Sequence, residues 1–149
     1  MYTFTDERFM TAAEKQTTLK DWERFLKGGL KWTQFTKALY HHLNQHCSFI
    51  AHFNRGGFYS VYFERPASTR KFLSQFDSRG PCTSIEYGYS GWFMNRTGAD
   101  LSQAMIEVAS KYVPALIEQT YIEEREQDVA LAHRLLEKHG LLKGVLRGI

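Results

Sequence analysis

Apolar positions recur at two different spacings along this 149-residue chain, and the changes of spacing divide it into elements. Residues 1 to about 16 are polar with scattered aromatics, a pattern that predicts a flexible N-terminal arm. Beyond it, Leu19, Trp22, Phe25 and Leu26 follow one another at intervals of three and four, as on one face of a short helix. Thr17 or Thr18 suits its N-cap, and Gly28-Gly29 ends it, since glycine favours the left-handed C-cap. A second helix over 33–46 places Trp32, Phe35, Leu39, Leu43 and His46 in one narrow arc, with His42 at its edge and His41 pointing away.

Between 47 and 64 the spacing shortens to two. CSFIAHFNRGGFYSVYFE is rich in aromatic and β-branched residues around a glycine pair and reads as a β-hairpin. A two-residue loop would mix polar and apolar groups on both faces. The three-residue loop Arg55-Gly56-Gly57 instead gathers Phe49, Ala51, Phe53, Tyr59, Val61 and Phe63 on a core face. The other face then carries His52, Phe58, Ser60, Tyr62 and Glu64.

Pro66 stops the strand, Ser68 caps a third helix through Phe72, Leu73 and Phe76, and 83–89 reads as a third strand leading into an aromatic loop at 88–96. Asp100, with Gln103 placed for a capping box, opens a helix striped by Leu101, Ala104, Met105, Val108 and Tyr112. Pro114 is expected to kink that helix or begin another, which runs to His139 with Gly140 as C-cap. The order α-α-β-β-α-β-α-α implies an α+β fold: a small three-stranded antiparallel sheet packed against helices. One domain is expected over 17–149, with a helical C-terminal part at about 100–140 and an amphipathic tail at 141–149.

Composition narrows the function classes. A chain that is 43% hydrophobic and 15% aromatic can bury one core. Its net charge of +3 is too small to identify a partner, but its distribution is uneven. No acid occurs between Arg24 and Phe63, where Lys27, Lys31, Lys37 and Arg55 fall, whereas Glu118, Glu123, Glu124, Glu126 and Asp128 crowd one later segment. Two cysteines, Cys47 and Cys82, are fewer than a disulfide-stapled secreted fold carries. The N-terminus lacks the pattern of a signal peptide, and no run approaches the roughly 20 apolar residues of a membrane span. The expectation is a cytoplasmic protein with reduced thiols and no membrane partner.

Three groups of residues bear on chemistry. His42 and His46, four apart, suit one face of a metal site that Cys47 and His52 would complete. Leu43 stands where a zinc peptidase needs its glutamate, however, and the bland reading makes the histidines hydrogen-bonded parts of the core. Cys47 as a nucleophile lacks any nameable orienting acid or oxyanion donor. In the expected hairpin, His52 lies opposite Ser60 and shares a face with Tyr62 and Glu64, a general-base candidate beside hydroxyls.

Lys20, Arg24, Lys27 and Lys31 recur at helical spacing and, with Arg55, suit phosphate contacts; Phe58 and Trp92 suit base stacking. The leading expectation is a small binding or accessory protein without cofactor, contacting nucleic acid or an acidic protein surface through this basic aromatic face. The alternative is a small enzyme or metalloprotein built on the histidine-rich region. A third expectation is homo-oligomerisation through the C-terminal helices, with the amphipathic tail of Leu141, Leu142, Val145, Leu146 and Ile149 docking on its own core by default, or on a second subunit or a partner.

Overall fold

The computed structural model of the chain describes residues 2–5, 7–8, 10–46, 54–74, 76 and 99–140. Among them there are five α-helices and no strand: α1 Ala12–Lys27, α2 Lys37–His41, α3 Arg55–Phe63, α4 Pro66–Ser74 and α5 Ala99–Lys138. A 3-10 turn at Trp32–Gln34 precedes α2, and a π-helical turn at His42–His46 follows it.

The α+β expectation is therefore overturned. Residues 55–63, expected as a hairpin loop and its second strand, are helical. Asn54 caps this helix, its side-chain oxygen accepting from the Gly57 amide at 2.7 Å, so the glycine pair forms a first helical turn. Phe58 with Tyr62, and Tyr59 with Phe63, then stand four apart and face the core together. Those positions satisfy both the alternating and the helical pattern, and burial of Phe58 together with Phe63 selects the helix. The expected first strand, 47–53, and third strand, 83–89, lie outside the described residues.

Other boundaries also move. α1 begins at Ala12 rather than near Thr17, because Thr11 and Glu14 form a reciprocal capping box. Phe4 and Met10, within the expected arm, are buried in the core. Pro66 occupies the first position of α4, where its missing amide is harmless. Pro114 sits inside one unbroken 40-residue helix. Leu101, Met105, Ala109 and Val113 are buried ahead of it and Thr120 after it, so packing on both sides outweighs the lost hydrogen bond.

The C-terminus of α1 follows the glycine pattern. Gly28 caps it, and Gly29, at φ +85, adopts the left-handed conformation expected of the pair. Leu30 continues at φ +62, a conformation a branched side chain resists. Its amide donates to the Phe25 carbonyl, its own carbonyl accepts from the Tyr59 hydroxyl at 2.6 Å, and its side chain is buried. These three constraints together hold the strained residue.

α5 packs against α1 and α4, while α3 packs on α4 and α2 on α1. The core between them is a continuous run of rings. Trp22 meets Phe76 at 4.8 Å, Phe76 meets Phe72 at 5.4 Å, Phe72 meets Phe63 at 4.9 Å, and Phe63 meets Phe25 at 5.0 Å and Phe35 at 5.6 Å. Two polar contacts tie α1 to α5 through this core. The Trp22 indole donates to the Met105 carbonyl at 3.0 Å. The wholly buried Lys15 ammonium meets Asp100 at 2.8 Å, and Asp100 also accepts from the amides of Thr5 and Leu101.

The pair is asymmetric: Lys15 is 0% exposed, whereas the Asp100 side chain keeps 22%. Removing the carboxylate strands a buried ammonium. Asp100→Ala is expected to lower unfolding free energy by about 3 kcal/mol, and Lys15→Met, which removes the buried charge, by clearly less. Urea unfolding of the two variants measures the difference, and equal losses would contradict this account of the pair.

Candidate nucleic-acid interface

The exposed side of α1 follows from its buried side. Lys15, Leu19, Trp22 and Leu26 face the core, so Lys20, Arg24 and Lys27 project together on the opposite, exposed side. Arg24 and Lys27 also lie in the last turn, where the helix dipole favours cations. The left-handed turn at Gly29-Leu30 then redirects the chain and delivers Lys31, also exposed, beyond the end of that stripe.

Next to Lys31 stands Trp32. The arc expected for the second helix places it inward with Phe35 and Leu39, yet it is 42% exposed while those two are buried. Thr36 explains the difference: its hydroxyl accepts from the Leu39 amide and caps α2, so Trp32 lies ahead of the helix whose periodicity it mimics. The same hydroxyl donates to Asp21 on α1 at 2.8 Å, which locks the turn against α1. A threonine three residues before Leu39 is the sequence signal that could have placed Trp32 outside.

α3 supplies the rest of the corner. The Arg55 guanidinium lies 4.8 Å from the Trp32 ring centre, a cation–π contact at the end of α3 nearest its Asn54 cap. Tyr59, one turn on, meets the edge of Trp32 at 5.3 Å, and its hydroxyl reaches the Leu30 carbonyl. Burial, and then the Glu64 carboxylate, hold the Tyr59 hydroxyl above its ordinary value, so it stays a donor at neutral pH. A small groove beside it, lined by Lys31, Tyr59, Gln119 and Glu123, runs to α5.

The residues expected in this face are only partly brought together. Lys20, Arg24, Lys27, Lys31 and Arg55 are on the surface, with Arg55 half-covered by its contact. Phe58 is fully buried, ringed by Phe35, Tyr40 and Tyr62, and presents nothing for stacking. Trp92 lies outside the described residues. Trp32 is the exposed aromatic at the basic corner.

The histidine chemistry gains no geometry. His42 is buried, His41 is exposed, and His46 is placed only in the backbone of the π-helical turn; Cys47 and His52 lie outside the described residues. Among the described residues, no three histidine, cysteine, aspartate or glutamate side chains come together as a metal site would require. Ser60 on α3 and Glu64 at its C-cap are exposed, whereas the Tyr62 ring packs on Phe58 at 4.6 Å and Phe72 at 5.4 Å, which separates it from both. Burial holds the Tyr62 hydroxyl above its ordinary range as well.

Comparison of the chain with protein-family models, with curated proteins and with solved structures returns no match. No helix among the described residues is long and apolar enough to cross a membrane.

Tyr59 offers a pH test of the corner. Its raised folded-state value means that stability is unaffected below pH about 10, the unfolded tyrosine value, and is lost as pH rises through that range. Tyr59→Phe is expected to cost about 1 kcal/mol at neutral pH through the lost bond to Leu30, and to flatten the alkaline decline. An alkaline decline as steep as that of the parent would contradict the assignment.

Proposed function

We propose that this protein is a binding protein that holds single-stranded nucleic acid along the Lys20–Arg24–Lys27 stripe and against the Lys31–Trp32–Arg55 corner. One observation carries the reading: an exposed indole, packed under a guanidinium and flanked by a lysine, stands at the end of a row of cations on α1, in the stretch from Arg24 to Phe63 that holds no acid. Cations alone suit any acidic surface. A flat aromatic set among them favours a strand of bases, because phosphates take the cations while a base stacks on the ring. The stripe from Lys20 to Lys27 spans about 10 Å of helix, enough to follow a short stretch of backbone rather than a single phosphate.

The reading requires neither metal nor catalytic group. It predicts strongly salt-dependent binding of a fluorescent oligothymidylate, followed by anisotropy. Replacing Lys20, Arg24 and Lys27 by alanine is expected to reduce the steepness of the log–log salt dependence by about 2, near 0.7 for each lost phosphate contact. Trp32→Ala should weaken binding about tenfold while leaving that slope unchanged, since base–aromatic stacking is worth roughly 1–3 kcal/mol. Absent or salt-insensitive binding would contradict the proposal. Polyglutamate binding as tightly as the oligonucleotide would instead make an acidic protein the partner.

A further inference from the structure

The groove beside the Trp32 corner carries an acid where a phosphate track would carry cations. Leu116, Gln119, Thr120 and Glu123 stand three and four apart on α5, so one face of that helix lines it. Tyr59 and Phe63 of α3, with Leu30 and Lys31 of the turn after α1, line it from their own elements. Its volume is about 220 Å³, below the roughly 300–1,000 Å³ of a pocket for a drug-sized ligand. A single base is the part of a nucleic acid that matches such a space.

Floor and rim divide by polarity. Leu30 and Phe63 are buried and Leu116 is half-buried, which makes an apolar floor. Three hydroxyls that line the groove already donate to carbonyls: Tyr59 to Leu30 at 2.6 Å, Thr69 to Tyr62 at 3.1 Å and Thr120 to Ile117 at 2.6 Å. The charged groups at the rim are the exposed Lys31 and Glu123. Among the described residues the two form no ion pair with each other. Glu123 accepts from the Gln119 amide at 3.4 Å, which leaves lone pairs on both carboxylate oxygens.

The backbone marks the same place. Leu30, strained at φ +62, forms part of the wall, and strain of this kind collects where a ligand is held. Gly29 beside it has open space where a side chain would project, so nothing narrows the groove there.

A carboxylate at the end of a row of cations repels the phosphate backbone but accepts from the donors of a base. Guanine presents two adjacent donors, N1–H and the N2 amino group, which meet both carboxylate oxygens, and its neighbouring O6 suits a lysine. Adenine and cytosine place an acceptor nitrogen beside their amino group, and thymine and uracil flank their one N–H with carbonyl oxygens. None of these offers a carboxylate two adjacent donors.

We infer that the groove reads guanine: Glu123 accepts from N1 and N2 of a base turned off the strand held at the Trp32 corner, and Lys31 donates to its O6. The inference rests on the nucleic-acid reading above and adds a base preference to it. Tyr59 joins the two places, since its ring meets Trp32 at 5.3 Å and the same side chain lines the groove. Neighbouring bases of one strand then use the indole and the groove.

Anisotropy titrations of the full chain compare a fluorescent oligothymidylate with the same strand carrying one central guanine, adenine or cytosine. The guanine strand is expected to bind about tenfold tighter than the others, the discrimination of one bidentate contact. Hypoxanthine in place of guanine lacks the N2 amino group and should lose most of that gain. Glu123→Gln, an isosteric change at an exposed position, replaces one acceptor by a donor and should bring the guanine and thymine strands to equal affinity. Equal, salt-dependent binding of all four strands by the parent overturns the guanine assignment and leaves the proposed function standing. A preference for adenine or cytosine does the same, as does a guanine preference that survives Glu123→Gln. Binding of none of the strands contradicts the nucleic-acid reading itself and removes this inference with it.

Discussion

Phe35 and Phe63 have to be buried against a common set of rings, and most of the described structure is arranged around that requirement. Phe35 touches Phe25, Phe58, Tyr59 and Phe63, while Phe63 reaches Phe72 as well. α1, the turn before α2, α3 and α4 each contribute a ring to this cluster, so none of these four can move without opening an aromatic contact. Large rings bury much area per residue and gain further from tilted and edge-on geometry. The strained Leu30 and the inward polar ties at Trp22 and Lys15 are tolerable because this cluster over-determines the positions around them.

The same cluster explains which parts of the fold could be read from the sequence. The apolar stripe of α1, its glycine stop and the stripe opening α5 were legible, since three- and four-residue spacings around Trp22, Phe25, Met105 and Val108 admit one period. The segment 54–63 was not. Phe58, Tyr59, Tyr62 and Phe63 fit an alternating strand and a helix almost equally, and the choice falls to a capping asparagine and to long-range burial of Phe58. β-Propensity reports fit to a half-buried surface more than an intrinsic backbone preference, and here the surface available is that of other helices. Pro114 misleads for a related reason: the local penalty is real, but Val113 and Thr120 are held on either side of it.

Legibility of the candidate site divides along the same line. Cations at helical spacing on α1 were visible because an exposed face needs only local periodicity. The stacking residue was not, because Phe58 and Trp32 exchange their expected places: the hairpin exposes the first and the extended second helix buries the second. Thr36, as a cap ahead of Lys37, was the available signal. The Lys15–Asp100 pair had none, since its members are 85 residues apart and become neighbours only when α1 lies along α5. Charge asymmetry between the acid-free stretch from Arg24 to Phe63 and the acidic part of α5 was plain in the sequence, and the structure brings the two together at the groove that Lys31 and Tyr59 line with Gln119 and Glu123.

Photo-crosslinking tests the central claim, that Trp32 and its cations form the face on which nucleic acid lies. The intact chain is irradiated with an oligonucleotide carrying 5-iodouracil, and the adducts are mapped by peptide mass spectrometry. Adducts concentrated on Trp32, with Tyr59 the neighbouring site, are the predicted result. Adducts absent from Trp32 and Tyr59 but present on Tyr121 or elsewhere along α5 would contradict it.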